Sequence, residues 1–128
     1  MFSPRPENGA TKDRRVTPRQ TVTYRMDVLA SDGTVGYLID VSVSGMRVFF
    51  KQGLDVAGVS TIRIEFPRWL ELGSGFEASG RFVWVRPSGN GSEGGFAFSG
   101  LSKVERVLLG RLIERLAEAV AADAEEVA

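Results

Sequence analysis

Hydrophobic and polar residues alternate along much of the chain, which predicts extended strands. The first such segment, TVTYRMDVLA (residues 21–30), has apolar or aromatic side chains two residues apart: Val22, Tyr24, Met26 and Val28. Side chains at this spacing point to one face of a strand, and polar ones occupy the other face. The pattern predicts a half-buried strand with its apolar face on a core.

Further segments follow the same rule. They are VGYLIDVS (35–42), MRVFF (46–50), TIRIEF (61–66), FEASGRFVWV (76–85) and FAFSG (96–100). The SDGT segment at 31–34 predicts a turn, and Gly80 predicts a bend or bulge within its strand. The glycine-rich RPSGNGSEGG, residues 86–95, predicts a flexible hairpin loop.

Only the last segment has helical periodicity. Ser102 followed by Glu105 is a capping-box pattern, which marks a helix start. After it, apolar residues recur at helical spacing: Val104, Val107, Leu108, Leu112, Ile113, Leu116 and Val120. About six antiparallel strands followed by one amphipathic helix predict an all-β barrel or sandwich, with the helix over an open end or a face.

The chain of 128 residues is predicted to form one domain, over residues 14–120. Residues 1–13 are predicted to be a flexible tail, and residues 14–20 an arginine-bearing segment. The barrel is assigned to residues 21–100 and the helix to residues 102–120. The acidic end, 121–128, is predicted to fray.

Composition excludes several classes of function. The 16 basic and 16 acidic residues cancel, which opposes a general binder of nucleic-acid polymers. The chain has no Cys and no His, which excludes thiolate and imidazole catalysis and most zinc sites, so no metal or cofactor is expected. A carboxylate-only enzyme remains compatible with composition. With no apolar leader and no long apolar run, the sequence predicts a cytoplasmic protein without membrane insertion.

The first candidate for chemistry is KDRRVTPRQ, residues 12–20, which contains Arg14, Arg15 and Arg19. Pro18 disfavours helical geometry in the residue before it, so the segment is predicted to be extended or turned. Guanidinium groups spread along it offer planar donor pairs to phosphate oxygens or to guanine. The alternative interpretation is a solvated basic linker.

The second candidate is DVSVSG, residues 40–45. Asp40 can accept hydrogen bonds from the two adjacent N–H groups of a guanine edge, and Ser42 lies on the same side while the chain stays extended. Gly45 permits a positive φ or a close backbone approach. The alternative is an ordinary polar turn.

Together these motifs, RxxxR from Arg15 to Arg19 and DxSxxG from Asp40 to Gly45, resemble the PilZ domain family. FVWV (82–85), GGFAF (94–98) and a C-terminal helix follow in the order expected for it, so the resemblance covers residues 14–116. It implies a six-stranded antiparallel β-barrel with a C-terminal helix. It also implies a receptor for cyclic di-GMP, a bacterial second messenger.

The resemblance also assigns roles to residues. Arg15 and Arg19 are expected to wrap over the ligand and contact its phosphates and guanines. Asp40, Ser42 and Gly45 are expected to bind a guanine at the barrel surface. Arg14 is expected to go with an intercalated pair of cyclic di-GMP molecules.

These observations predict a non-catalytic receptor, in which ligand orders the N-terminal segment and the altered surface engages an unidentified downstream protein. One alternative is a protein-interaction module with the same fold that does not use the nucleotide. An oligonucleotide-binding barrel is opposed by the zero net charge, and an enzyme by the lack of a nucleophile–base pair. Trp84, in an alternating strand, is predicted to belong to the core and not to stack on a base.

Overall fold

The structure is a computed structural model and describes residues 19–22, 25–51 and 59–127. These residues form seven strands, a short 3-10 helix and an α-helix. The strands are β1 (Gln20–Thr21), β2 (Asp27–Ala30), β3 (Val35–Val41), β4 (Gly45–Phe50), β5 (Thr61–Glu65), β6 (Gly75–Ser88) and β7 (Gly91–Phe98). The 3-10 helix is Arg68–Leu70, and α1 is Lys103–Val127.

Six of the strands close into an antiparallel barrel, as the sequence predicts. Their order is β3-β2-β5-β6-β7-β4, and β4 pairs with β3 to close the ring. The short β1 is an additional strand that pairs with the end of β3, where Thr21 lies opposite Asp40. Arg19 and Gln20 therefore lie beside the second motif.

The barrel interior is filled by apolar side chains that alternate along the strands. Met26 and Val28 of the first predicted strand are buried, which confirms the predicted direction of that strand. Aromatic rings meet edge to face in the same core, with the Phe82 and Phe96 centroids 5.2 Å apart. Such contacts fix the positions of β6 and β7 relative to each other.

The helix begins as predicted, at a capping box. The Ser102 backbone N–H donates to Glu105 Oε1 at 2.8 Å, and the Glu105 N–H donates to Ser102 Oγ at 3.1 Å. α1 continues to Val127, through most of the end that was predicted to fray. In the described residues no helix has both the length and the apolarity needed to cross a membrane.

The buried face of α1 agrees with the predicted one only in part, since Leu112 and Leu116 were predicted to be on it and Leu109 was not. Leu109, Leu112 and Leu116 are buried, whereas Val104 and Val107 are 77% and 54% exposed. The spacing of apolar residues fits two overlapping helical faces, and packing against the barrel selects the leucine face.

The predicted hairpin loop at 86–95 is wrong. β6 and β7 remain paired up to Ser88 and Gly91, so only Gly89 and Asn90 form the turn. Gly89 has a φ of 58°, which favours glycine. Most of the glycine-rich stretch is therefore strand, and it contributes side chains to the barrel surface.

Candidate functional site

A bulge in β3 turns the carboxylate of Asp40 to the outer face of the barrel. Leu38 and Asp40 pair with consecutive residues of β4, so Ile39 is an extra residue on β3. An extra residue reverses the inward–outward alternation beyond it. Asp40 therefore shares the outer face with its partner Arg47, while the next residue, Val41, is buried in the core.

A second bulge, in β6, brings Trp84 to the same face. Phe82 and Trp84 pair with consecutive residues of β7, and Val83 is the extra residue. The sequence predicted a bend or bulge at Gly80, and the bulge lies beyond it, between Phe82 and Trp84. Trp84 is 40% exposed, so the prediction that it belongs to the core is wrong. That prediction assumed an unbroken alternation, which the bulge reverses.

Asp40, Arg47, Gly95 and Trp84 form one row across four neighbouring strands, called here the outer row. Arg47 pairs with Asp40 on one side and with Gly95 on the other, and Trp84 pairs with Gly95. The indole of Trp84 covers Gly95 closely: a Cβ atom built on Gly95 would lie 2.2 Å from the indole Nε1. Glycine at this position therefore allows the tryptophan to lie flat against the sheet.

A shallow pocket of about 170 Å³ lies at the outer row. Its lining residues come from four parts of the chain: Arg19, Ser44, Gly45, Val83, Trp84, Gly95, Phe96 and Ala97. One arginine of the first motif and one glycine of the second thus line the same pocket. It offers an aromatic ring, a hydroxyl and a guanidinium within one small concavity.

Two arginines hold the carboxylate of Asp40. Arg19 Nη1 lies 2.8 Å from Oδ1, and Arg47 Nη2 lies 2.9 Å from Oδ2. The Asp40 side chain is only 8% exposed although it is on the outer face, because these guanidinium groups cover it. A carboxylate removed from water needs such charged partners, and here each oxygen has one.

The ionic contacts continue from Arg47 towards Trp84. Arg47 Nη1 lies 3.4 Å from Glu93 Oε1, and Arg86 Nη2 lies 2.7 Å from the same oxygen. The Arg86 guanidinium carbon lies 5.2 Å from the centre of the Trp84 ring, a cation–π distance. Ionic and aromatic contacts therefore connect Arg19 to Trp84 across the row.

Positive charge is in excess at this surface, although the whole chain has a formal charge of zero. Arg81, exposed on β6, pairs in register with the pocket residue Ala97. With Arg81 and the three arginines of the ionic contacts, this surface has four arginines and two carboxylates, those of Asp40 and Glu93. The local field favours an anionic ligand.

Ser42 shapes the turn between β3 and β4. It is 1% exposed, its backbone N–H donates to the Gly45 carbonyl oxygen at 2.8 Å, and its hydroxyl lies 3.1 Å from that of Ser44. Its hydroxyl is thus engaged inside the turn, and Ser44 is the serine that lines the pocket. Ser42 was predicted to share a face with Asp40 in an extended chain, but it lies in the turn that follows β3.

Gly45 is required by close packing. A Cβ atom built there would lie 2.5 Å from the Phe96 carbonyl oxygen on β7. Of the two roles considered for this glycine, the structure supports close backbone approach, because its φ is not positive. A side chain here would separate β4 from β7 beside the pocket.

The structure brings together Arg19, Asp40 and Gly45 of the predicted site residues, whereas Arg14 and Arg15 lie outside the described residues. Sequence reasoning missed Arg47, Glu93 and the exposure of Trp84. Arg47 could have been found, because the buried neighbours on both sides place it on the outer face. Among the described residues no cluster of acidic side chains could hold a metal ion.

The barrel, its C-terminal helix and this arginine–carboxylate surface define a small β-barrel domain with an anion-favouring site. The sequence matches the PilZ domain family over residues 13–115. The chain therefore belongs to the PilZ domain family. No curated protein matches it in sequence.

Solved structures agree with this fold. YcgR of Escherichia coli in complex with c-di-GMP is 18% identical and superposes with a TM-score of 0.72, over 90% of this chain and 51% of YcgR. The separate PilZ domain of E. coli YcgR with c-di-GMP is 17% identical, with a TM-score of 0.69 over 88% of this chain and 98% of that domain. The inhibitor of motility MotI/DgrA of Bacillus subtilis is 16% identical, with a TM-score of 0.59 over 80% of this chain and 50% of that protein. The chain thus spans about half the length of YcgR and MotI.

Proposed function

We propose that this chain is a non-catalytic receptor for cyclic di-GMP and that the pocket of the outer row receives one guanine. The observation that carries the proposal is the contact between the two motifs, in which Arg19 of RxxxR binds Asp40 of DxSxxG beside the pocket. Its family supports the same function, and two of the similar solved structures are of YcgR with c-di-GMP.

Asp40 would recognise the guanine edge. The N1–H and N2–H groups of guanine are adjacent donors, and a carboxylate oxygen accepts from such a pair. Adenine offers an acceptor at N1, so it would face Asp40 with a lone pair against a negative charge. Asp40 would therefore select guanine over adenine.

Arg19 and Trp84 would hold the rest of that nucleotide. The Arg19 side chain is 48% exposed, so its guanidinium can reach a phosphate oxygen or a guanine edge with its planar donors. Trp84 offers an indole ring, over which Arg86 now lies, as a surface for the base. Ser44 adds an exposed hydroxyl at the pocket wall.

The size of the pocket limits how much ligand it holds. Small-molecule pockets typically measure about 300–1,000 Å³, and this one measures about 170 Å³. It would receive a single base, and the rest of the dinucleotide would lie on the outer face. Arg14 and Arg15 precede Arg19 in the sequence and are proposed to fold over that exposed part. Arg14 is the residue proposed to contact a second ligand molecule of an intercalated pair.

Ligand binding would pass a signal by ordering the N-terminal segment. The ligand brings phosphates to a surface that has an excess of arginine, and charge-assisted hydrogen bonds can order a chain segment. The new surface formed by segment and ligand would engage a downstream protein. A pull-down with and without ligand tests this step.

Calorimetric titration of the purified chain with cyclic di-GMP tests the proposed function. We expect saturable binding, weaker binding of cyclic di-AMP, and recovery of the nucleotide unchanged. A stoichiometry of two ligands per chain would support the intercalated pair. No binding of cyclic di-GMP would overturn the proposal and favour an interaction module that does not use the nucleotide.

A further inference from the structure

Arg47 is the central side chain of the ionic contacts at the outer row. Its two Nη groups point to different carboxylates, with Nη2 at 2.9 Å from Asp40 Oδ2 and Nη1 at 3.4 Å from Glu93 Oε1. No other described residue bridges the β3 bulge, which carries Asp40, to the β6–β7 hairpin, which carries Glu93. Arg47 therefore links two parts of the surface that lie on different strands.

The backbone of Arg47 is held more firmly than that of Arg19, the other partner of Asp40. Arg47 lies within β4 between Met46 and Val48, which are both 0% exposed, and β4 pairs with β3 on one side and β7 on the other. Arg19 precedes β1, a strand of two residues with a single neighbour in the sheet. A ligand that competes for Asp40 would therefore replace Arg19 and leave Arg47 in place.

The guanidinium of Arg47 is engaged within the protein. Each Nη group has a carboxylate partner, and Nε is buried with no hydrogen-bond partner among the described residues. Neither Arg47 nor Asp40 lines the pocket, but Asp40 binds Arg19, which does. Arg47 is therefore placed to act through Asp40.

We infer that Arg47 is a positioning residue: it fixes Asp40 through Oδ2, so that Oδ1, now bound by Arg19 of the pocket wall, is available to guanine once Arg19 leaves. Glu93 keeps the guanidinium in this orientation, and Arg86 in turn holds Glu93 at 2.7 Å. This inference rests on the proposed function, since it assigns Arg47 a part in guanine selection.

A double-mutant cycle with Arg47→Gln and Asp40→Asn tests the inference, with cyclic di-GMP and cyclic di-AMP as ligands. Arg47→Gln alone should weaken cyclic di-GMP binding about tenfold and reduce the preference over cyclic di-AMP, because the carboxylate loses its fixed direction. In the Asp40→Asn background the same change should have an effect of less than about twofold, since positions that act through one another are not additive. Equal effects in both backgrounds, or wild-type binding by Arg47→Gln, would overturn the inference.

Arg63→Gln is the matched control. Arg63 is also a strand arginine with a 35% exposed side chain and an ion pair, to Glu65 at 2.8 Å, but it lies on β5. Arg63→Gln should leave the affinities for cyclic di-GMP and cyclic di-AMP unchanged. Thermal unfolding of each variant separates a loss of positioning from a loss of fold.

Glu93→Gln is a milder variant, because it keeps both Arg47 and Asp40. Glu93→Gln should reduce the guanine preference less than Arg47→Gln does.

A ligand-free measurement keeps the inference testable if the wild-type chain binds no cyclic di-GMP, in which case the proposed function fails first. In NMR spectra of the free protein, the bridged guanidinium of Arg47 should give hindered, separately resolved Nη resonances. Asp40→Asn should make those resonances merge, whereas Asp27→Asn, which alters an exposed ion pair with Arg25, should not. Resonances already merged in the wild-type protein, or unchanged in Asp40→Asn, would show that Arg47 does not hold Asp40.

Discussion

Arg19 Nη1 and Asp40 Oδ1 lie 2.8 Å apart, although the two residues belong to separate motifs. Arg19 thus occupies the carboxylate oxygen that is proposed to accept hydrogen bonds from guanine. Guanidinium and the guanine edge both present paired N–H donors, so they compete for the same acceptor. Ligand binding is therefore expected to release Arg19 from Asp40 and make it available to the rest of the nucleotide.

Replacing Arg19 with alanine should weaken cyclic di-GMP binding by about ten- to a hundredfold, because charge-assisted hydrogen bonds contribute about 1.5–3 kcal/mol each. The fold should remain intact, since the side chain is half exposed. Calorimetry measures the change, and Arg25→Ala, which removes an exposed arginine paired with Asp27, is the control. Unchanged or tighter binding would mean that Arg19 only occupies Asp40 and does not contact the ligand.

Replacing Asp40 with alanine should weaken binding and reduce the preference for cyclic di-GMP over cyclic di-AMP. The reason is that a carboxylate accepts from the N1–H and N2–H groups of guanine but is repelled by the N1 lone pair of adenine. Titration of both nucleotides gives the ratio of affinities, with Asp27→Ala as the control. If the ratio stays at the wild-type value, Asp40 does not recognise the base.

Replacing Trp84 with alanine should weaken cyclic di-GMP binding about five- to a hundredfold, since stacking on an aromatic side chain is worth about 1–3 kcal/mol per base. Trp69 is the matched control, because it is 44% exposed, close to the 40% of Trp84, and does not line the pocket. Trp69→Ala should leave the affinity unchanged. Equal losses in both variants would rule out a specific contact between Trp84 and the ligand.

The buried face of α1 can be tested by stability. Leu109→Ala should lower the free energy of unfolding by about 2–5 kcal/mol, because Leu109 is buried and its removal leaves a cavity between helix and barrel. Val104→Ala should change it by less than about 0.5 kcal/mol, since the valine is 77% exposed. Denaturant unfolding of both variants decides between this face and the one predicted from the apolar spacing. The opposite ranking would support the predicted face.

Much of the architecture follows from local sequence patterns. The alternation in TIRIEF appears as β5, with Ile62 and Ile64 fully buried. The capping box at Ser102 appears with both of its hydrogen bonds. These features depend on residues close in sequence, so the sequence alone suffices to predict them.

The two bulges could not be predicted in the same way. Whether Ile39 and Val83 are extra residues depends on how β3 and β6 pair with their neighbours, and pairing involves distant parts of the chain. Each bulge reverses the direction of the residue that follows it. The wrong prediction for Trp84 comes from this reversal, whereas the burial of Ser42 comes from the turn that follows Val41.

Gly94 and Gly95 were predicted to lie in a loop but belong to β7, and the reason again involves contacts between strands. Glycine is unfavourable in strands, so the stretch around it was predicted to be loop. In the barrel the ring of Phe82 fills the space beside Gly94, and the indole of Trp84 fills the space beside Gly95. Aromatic side chains of a neighbouring strand thus stabilise glycines that local propensity disfavours.

An NMR titration of the labelled chain with cyclic di-GMP tests the central claim most directly, because it locates the ligand. The account predicts saturable shifts of the Trp84 indole N–H and of the backbone amides of Ser44, Gly45 and Gly95, with the Trp69 indole unchanged. Shifts confined to α1 or to the barrel face around Trp69, or no shifts at all, would contradict it.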